Sequence, residues 1–236
     1  VNRSHLSSRR GLRLVLCPLR FPSALQAQTM GCAGSSSTAA GGSTGASEPA
    51  GPNPIATFDT TKGSFKAEIY LDRVPITASN FIDLCESGYY DGIHFHRVIP
   101  GFMNQFGCPH AKDPNSRKAG TGGPKDGTYK NLKTGATEKR SNGGCIVDEN
   151  ISKDTNAAGT LSMANTGKKN SGGSQFFINV ADNKNLDWFS GGSSKHPVFG
   201  KIIEGYDICV AISQVKTKDD NPVEPIMMKS AKRNYR

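Results

Sequence analysis

An abrupt change in composition near residue 54 most constrains how this chain of 236 residues can fold. Residues 31–52 are almost entirely glycine, serine, alanine and threonine, which bury too little apolar surface to form a core. Residues 1–29 are rich in arginine, serine and leucine and contain no acid, a composition typical of transit peptides. We therefore predict a disordered extension over 1–53, made of an arginine-rich segment and then a linker, and one folded domain over 54–236.

The segment that joins the arginine-rich part of the extension to the linker leaves the targeting role of the extension open. Met30-Gly31-Cys32-Ala33-Gly34-Ser35 matches a myristoylation pattern, and Cys32 would be a palmitoylation site beside it. If translation starts at Met30, acylated Gly31 and Cys32 would tether the domain to a membrane. If residues 1–29 are a transit peptide, the protein is imported into an organelle. With neither signal in use, we expect a cytoplasmic protein.

Composition also excludes several classes of protein. The sequence contains no run of 18 apolar residues, which excludes a membrane-spanning helix. Its six cysteines are scattered without a C-x-x-C pair, as in proteins with reduced thiols, so we predict no disulfide framework, no metal site and no cofactor. The extension carries four of the nine net positive charges, so 54–236 is only mildly basic and nucleic-acid binding is not predicted.

Hydrophobic periodicity over 54–236 predicts many short strands and two helices. One helix begins at Pro75 and ends at Gly88, and the other spans Gly205–Gln214. Strands are expected at Ile55–Asp59, Phe65–Leu71, His94–Ile99, Met103–Gly107, Thr160–Ala164, Gln175–Val180, Val198–Ile203 and Pro225–Ser230. This pattern is mainly β and favours a closed barrel, whereas Ala111–Gly144 has no convincing periodicity and is predicted to be irregular.

Four blocks of sequence are more specific than any common catalytic motif, since no nucleophile elbow, phosphate-binding loop or zinc-protease motif is present. In chain order the blocks are Phe95–Gln105 (FHRVIPGFMNQ), Gly159–Asn165 (GTLSMAN), Gly173–Ile178 (GSQFFI) and His196–Lys201 (HPVFGK). Together they resemble the cyclophilins, the cyclosporin-binding peptidyl-prolyl isomerases, over nearly all of residues 55–230. The resemblance implies a closed eight-stranded antiparallel barrel capped by two α-helices, and isomerase activity on X–Pro bonds.

The implied reaction explains why no nucleophile or acid–base pair is found. Rotation about a peptide bond breaks no covalent bond, and its barrier of roughly 18–20 kcal/mol is lost amide resonance. As the bond twists, the prolyl nitrogen becomes pyramidal and accepts a hydrogen bond. A guanidinium beside that nitrogen binds the twisted state and not the planar one, which is how binding energy becomes rate. The resemblance implies that Arg97 supplies this group.

The resemblance implies ten site residues in two sets. The catalytic set is Arg97, Phe102 and Gln105. The substrate-binding set is Met103, Ala164, Asn165, Gln175, Phe177, Leu186 and His196. Gln105 and Asn165 would hold the substrate backbone, while apolar walls of the proline pocket would come from Phe102, Met103, Phe177 and Leu186. Without the resemblance, these four apolar residues would be interpreted as barrel core.

The sequence departs from the usual family pattern at several positions. Phe106 stands where glycine usually follows the glutamine of the first block, and Asn104 and Cys108 are also unusual. We expect Phe106 to lie just behind Gln105 and to influence its reach. Asn185 replaces a frequent tryptophan, which bears on cyclosporin affinity and need not change isomerase activity. The loop Lys168–Gly173 is one residue longer than usual, which we expect to displace Ala164 and Asn165 slightly.

Two functions remain compatible with these residues. The leading one is an isomerase that acts on proline-containing polypeptides and assists their folding, as a monomer. The alternative is a catalytically weak module that binds proline-containing segments without accelerating their exchange.

Overall fold

The computed structural model describes residues 52–234. Most of the predicted extension, with both targeting patterns and with Gly31 and Cys32, therefore lies outside the described residues. At the boundary, Asn53 donates from Nδ2 to Oε1 of Glu68 (2.9 Å) and accepts from the backbone N–H of Asp72 (3.0 Å). The hydrogen bonds of the domain thus already include the residue before Pro54.

The described part contains twelve strands and two α-helices. In chain order they are β1 (Ile55–Thr60), β2 (Gly63–Ile69), α1 (Pro75–Glu86), β3 (Arg97–Ile99), β4 (Met103–Phe106), β5 (Gly127–Lys130), β6 (Thr137–Arg140), β7 (Thr160–Met163), β8 (Phe176–Asn179), β9 (Val198–Glu204), α2 (Tyr206–Ser213), β10 (Thr217–Lys218), β11 (Asn221–Pro222) and β12 (Met228–Asn234). Both predicted helices are confirmed, and the fold is mainly β as expected.

Eight strands form one antiparallel sheet in the order β12-β1-β2-β9-β7-β8-β4-β3. The prediction of a closed barrel is wrong, because the edge strands β3 and β12 do not pair with each other and the sheet stays open. The backbone N–H of Val98 in β3 donates instead to the carbonyl of Asp220, in the turn between β10 and β11 (2.7 Å). An isolated bridge between His94 and Met227, with a hydrogen bond from the N–H of Gly92 to the carbonyl of Met228 (2.8 Å), joins the segment before β3 to the start of β12.

The concave face of the sheet encloses an aromatic core. Alternation along β4 directs Phe106 into this core, where its ring centroid lies 5.0 Å from that of Phe95 and 5.6 Å from that of Phe176. Gln105 lies on the opposite face, since neighbouring strand residues point to opposite sides. Phe106 is therefore a core residue behind Gln105. Asn104 is also buried, and its Nδ2 donates to the carbonyl of Cys209 in α2 (2.8 Å).

The segment Ala111–Gly144, predicted to be irregular, contains the β5–β6 hairpin. Alternation of apolar residues was absent because only Tyr129 and Arg140 of its eight strand residues are buried. The Arg140 guanidinium lies over the Tyr129 ring (4.6 Å) and donates to Asn80 and Asp83 of α1 (2.6 Å each). A buried cation thus replaces apolar packing in this hairpin. The last strand, predicted at Pro225–Ser230, runs from Met228 to Asn234.

Candidate active site

Strand register brings residues that are far apart in the chain into one row. Arg97 of β3 lies opposite Gln105 of β4, and Gln105 lies opposite Phe177 of β8. Residues directly opposite each other in antiparallel strands present their side chains on the same face. Since Phe106 and Phe176 point into the core, this row lies on the outer face of the sheet. Three residues of the predicted site are therefore brought together by pairing alone.

An apolar cluster adjoins this row. Met103, Phe177 and Leu186 are 2%, 4% and 7% exposed, and they form a cluster separate from the barrel core. Residues that pack partly buried against this cluster are Ile99, Phe102 and Ala164. The interpretation of the four predicted wall residues as part of the main core is therefore wrong: they form a separate apolar cluster on the outer face of the sheet.

Arg97 is held from one side by a carboxylate. Its Nε donates to Oδ2 of Asp220 (3.4 Å), and both side chains are about half exposed. Within residues 52–234, its terminal nitrogens Nη1 and Nη2 make no hydrogen bond and remain available as donors. Asp220 lies in the β10–β11 turn with a φ of 65°, and the hydrogen bond from Val98 fixes its backbone beside β3. Asp220 was not among the predicted site residues. Its only signal in the sequence is the turn-forming Asp-Asp-Asn at 219–221, which indicates a hairpin and not a contact with Arg97.

Gln105 and Gln175 form a chain of hydrogen bonds beside the cluster. Gln105 donates from Nε2 to Oε1 of Gln175 (3.1 Å), and Gln175 donates from Nε2 to the carbonyls of Gly120 (3.0 Å) and Gly122 (2.8 Å). This chain borders a cavity of about 480 Å³, which Cys145 also lines. Gly120, which the predicted site did not include, therefore positions Gln175. Among the described residues, no donor bonds Oε1 of Gln105, so this oxygen is free to accept.

The two groove residues that follow β7, Ala164 and Asn165, take different positions. Ala164 continues the sheet register, because its N–H donates to the carbonyl of Gln175 (3.0 Å). The side chain of Asn165 is already bonded: Nδ2 donates to the carbonyl of Lys195 (2.7 Å), and Oδ1 accepts from the N–H of Gly167 (2.9 Å). In the part of the chain that the structure describes, its main-chain N–H and C=O have no partner. Any contact between Asn165 and a substrate backbone is therefore expected from its main chain.

A buried polar network supports the aromatic wall from beneath. Asn183 donates from Nδ2 to the carbonyl of Phe102 (2.9 Å) and to Oδ1 of Asn179 (2.7 Å). Asn179 donates in turn to the hydroxyls of Thr160 (2.9 Å) and Ser162 (3.0 Å). These residues were not predicted for the site. Ser162 lies opposite Phe177 and Asn179 lies opposite Met103, so these polar residues share the outer face of the sheet with the apolar cluster. The alternation of residues along β7 and β8 could have indicated this position.

His196 packs against the edge of the apolar cluster. Its ring packs edge to face on Phe177, with ring centroids 5.3 Å apart. The backbone N–H of His196 donates to the carbonyl of Leu186 (3.0 Å). Burial lowers the pKa of the imidazole, although the hydrogen bond from Nδ1 to the carbonyl of Met163 (2.9 Å) opposes this. We therefore expect a neutral ring at pH 7, with its Nδ1 proton directed at Met163.

His96, next to Arg97, is a second histidine of low basicity. Burial and, to a smaller extent, the charge of Arg97 lower its pKa to about 4. Across residues 52–234, no three His, Cys, Asp or Glu side chains converge in a group able to hold a metal ion. Nor does the described chain contain a helix both long and apolar enough to cross a membrane.

Comparisons with known proteins agree with this geometry. The model of the family described as "Cyclophilin type peptidyl-prolyl cis-trans isomerase/CLD" matches residues 55–233. Peptidyl-prolyl cis-trans isomerase A of Dickeya dadantii is 35% identical over 178 residues, which cover 73% of this chain and 80% of the relative. Peptidyl-prolyl cis-trans isomerase-like 1 of Emericella nidulans is 36% identical over 179 residues, covering 75% and 92%.

A solved structure shares the fold. It is a cyclophilin-type peptidyl-prolyl cis-trans isomerase of Cryptosporidium parvum, with a TM-score of 0.62 and 26% identity, covering 78% of this chain and 99% of that chain. The same protein was also crystallised in the presence of the dipeptide Ala-Pro. The outer-face apolar cluster, the ordered sequence blocks and these matches lead to one conclusion: the chain belongs to the cyclophilin-type peptidyl-prolyl cis-trans isomerase family.

Proposed function

We propose that residues 55–233 catalyse rotation about X–Pro bonds in polypeptides at the outer-face site, with Arg97, Phe102 and Gln105 as catalytic residues. The observation that carries the proposal is the row of Arg97 and Gln105 alongside the apolar cluster of Met103, Phe177 and Leu186. The remaining binding roles fall to Ala164, Asn165, Gln175 and His196. The Ala-Pro dipeptide present with the Cryptosporidium relative supports a proline-containing ligand.

The apolar cluster and the arginine have separate tasks in this mechanism. The apolar walls take up the pyrrolidine ring, and its burial holds the proline while the preceding residue rotates. Gln105 Oε1 and the main chain of Asn165 hold the substrate backbone on either side. The Nη donors of Arg97 then bond the prolyl nitrogen once its lone pair is no longer delocalised. Each 1.36 kcal/mol of such preferential binding accelerates the rotation about tenfold.

Asp220 gives the arginine its orientation. A carboxylate on Nε leaves the two Nη groups directed away from the contact, where they meet the substrate. Since both side chains are half exposed, the ion pair contributes only about 0–1 kcal/mol to folding. Its proposed value lies in positioning a flexible side chain before the substrate binds.

Replacement of Arg97 tests the proposal. For Arg97→Ala we expect kcat/KM for a proline peptide to fall about 10²–10³-fold, the usual effect of removing one transition-state donor. Arg97→Lys should recover only part of the rate, because a lysine lacks the planar fork of donors. Exchange NMR on a single-proline peptide measures the rate, and urea unfolding checks that the fold is unchanged.

Arg117→Ala is the matched control, since Arg117 is exposed and lies outside the site. Full activity of Arg97→Ala would contradict the proposed mechanism. The alternative function, a module that binds proline segments without turnover, is favoured by Asn185, which is exposed where the family usually has tryptophan. It predicts peptide affinity in the wild-type chain with no acceleration of exchange, so the same NMR spectra distinguish the two functions.

We further propose that cyclosporin is a ligand, with an affinity lowered by Asn185. The protein is proposed to be a monomer that does not bind nucleic acid and that is cytoplasmic, unless Gly31 and Cys32 are acylated or residues 1–29 direct import. Mass spectrometry of the native N-terminus tests this point. An acylated glycine would establish the membrane anchor, whereas an N-terminus within the Gly/Ser-rich linker would establish import and cleavage.

A further inference from the structure

A second cavity of about 640 Å³ lies beside the proposed substrate groove. Its charged lining consists of Lys168, Lys169, Lys195 and Asp148. Among the residues that the structure describes, no carboxylate lies within 4 Å of any of the three ammonium groups. Three cations and one anion thus leave the cavity with two unbalanced positive charges. We name it the lysine cavity.

The loop that carries two of these lysines is folded by its own hydrogen bonds. Oδ2 of Asp148 accepts from the N–H of Asn170 (2.8 Å), and Oδ1 of Asn170 accepts from the N–H of Asp148 (2.9 Å). The hydroxyl of Ser171 accepts from the N–H of Thr166 (3.1 Å) and donates to the carbonyl of Lys168 (2.7 Å). The backbone therefore presents the lysine side chains from a defined position.

The lysine cavity continues the proposed groove. Asn165 lines both this cavity and the one bordered by Gln105 and Gln175. Its Nδ2 also donates to the carbonyl of Lys195, which joins the two lysine-bearing segments. A polypeptide in the groove that passes the main chain of Asn165 would thus reach the lysines with its next residues.

We propose that the lysine cavity binds an acidic side chain of the substrate, an inference that rests on the proposed isomerase function. The enzyme would then prefer proline segments that carry aspartate or glutamate close to the proline. The carboxylate of Asp148 in the wall disfavours a polyanion such as RNA, whereas one carboxylate side chain is attracted by three neighbouring cations. The concave shape and the continuity with the groove favour a peptide over a flat anionic membrane surface.

The test compares matched peptides with one proline and a single glutamate or glutamine, placed in turn at each position within about four residues (~13 Å) of the proline. At one or more positions on one side of the proline, we expect kcat/KM to be about threefold or more higher for glutamate at low ionic strength. This ratio should fall towards one at about 1 M salt, where the screening length is only about 3 Å.

Variants assign the preference to the cavity. Replacing all three cavity lysines by glutamine should reduce the glutamate-to-glutamine ratio to about one, since the attraction is lost. The matched control replaces three exposed lysines on other strands, Lys139, Lys229 and Lys232, and should keep the ratio.

The outcomes separate this inference from the function on which it rests. If the wild-type chain turns over neither peptide, the proposed function fails. If it turns over both equally at every position, only the acidic preference is overturned. The preference is also overturned if the triple variant loses affinity for a single-stranded RNA or for phosphatidylserine vesicles while the peptide ratio stays unchanged.

Discussion

At the scale of single residues, His96 shows how the site environment changes an ordinary group. Its ring packs near Gly120, so that a Cβ added to that glycine would lie 3.4 Å from the ring. Burial and the neighbouring Arg97 both disfavour a charged imidazole, which lowers the pKa to about 4. The folded domain therefore excludes a proton that an unfolded chain binds near pH 6.5.

This difference predicts a loss of stability in acid. As pH falls from about 6.5 to 4, the unfolded state binds a proton at His96 that the folded state does not, so the free energy of unfolding decreases by up to ~1.4 kcal/mol per pH unit. His96→Gln should make the decrease shallower, whereas His110→Gln at an exposed position should not. Urea unfolding across this pH range measures the slopes, and equal slopes in wild type and His96→Gln would refute the argument.

At the scale of elements, two loops meet beside the cavity of Gln105 and Gln175. Gly143 and Gly144 have φ values of 85° and 84°, and both of their N–H groups donate to Oδ1 of Asp126 (2.9 and 2.7 Å). A Cβ on Gly144 would lie 2.1 Å from the carbonyl oxygen of Pro124, whereas one on Gly143 would meet nothing within 4 Å. The two glycines thus share a backbone conformation and differ only in their surroundings.

Alanine at each glycine separates conformational strain from the contact between the loops. Gly143→Ala should lower the free energy of unfolding by about 1–2 kcal/mol, the cost of a side chain in the left-handed region. Gly144→Ala should cost roughly 1–3 kcal/mol more, because the clash forces the loops apart. Chemical denaturation measures both, and equal losses would show that the Pro124 contact is unimportant.

At the scale of the whole molecule, the folded unit extends slightly beyond the compositional boundary. Besides the two side-chain bonds of Asn53, the carbonyl of Pro54 accepts from the N–H of Ile69 (2.9 Å). These three bonds attach the entry of the chain to the end of β2. A domain needs such backbone partners as well as its core in order to fold alone.

Two truncations test where the domain begins. A chain that starts at Pro52 should retain both the Tm and the kcat/KM of the full chain. A chain that starts at Ile55 loses the three hydrogen bonds, and its free energy of unfolding should fall by about 1–3 kcal/mol. Thermal unfolding and the peptide assay compare them; reduced activity of the Pro52 chain would mean that the extension contributes to the site.

Much of the fold could be predicted because its signals are local. Alternation along β2 identifies a strand and assigns its faces, since the side-chain period of a strand is two. The hairpin that contains Tyr129 and Arg140 was not predicted, because it is stabilised by a cation bonded to α1 and its strands show no apolar alternation. The open sheet could not be predicted either. Closure depends on whether the N–H of Val98 donates to a carbonyl of β12 or to that of Asp220, and these acceptors are far from Val98 in the sequence.

The sequence by itself determined the faces of β2, the two helices and the contiguous blocks that contain Arg97, Gln105 and Phe177. Only the tertiary structure decided their partners, such as Asp220 beside Arg97, 123 positions further along the chain. The N-terminus of α1 shows the same limit: it has no local cap, and the carboxylate of Glu149 accepts from the N–H groups of Ile76 (3.1 Å) and Thr77 (2.8 Å). The physical reason is that backbone preferences act over a few residues, whereas a buried or oriented polar group takes whichever partner the sheet order brings within about 3 Å.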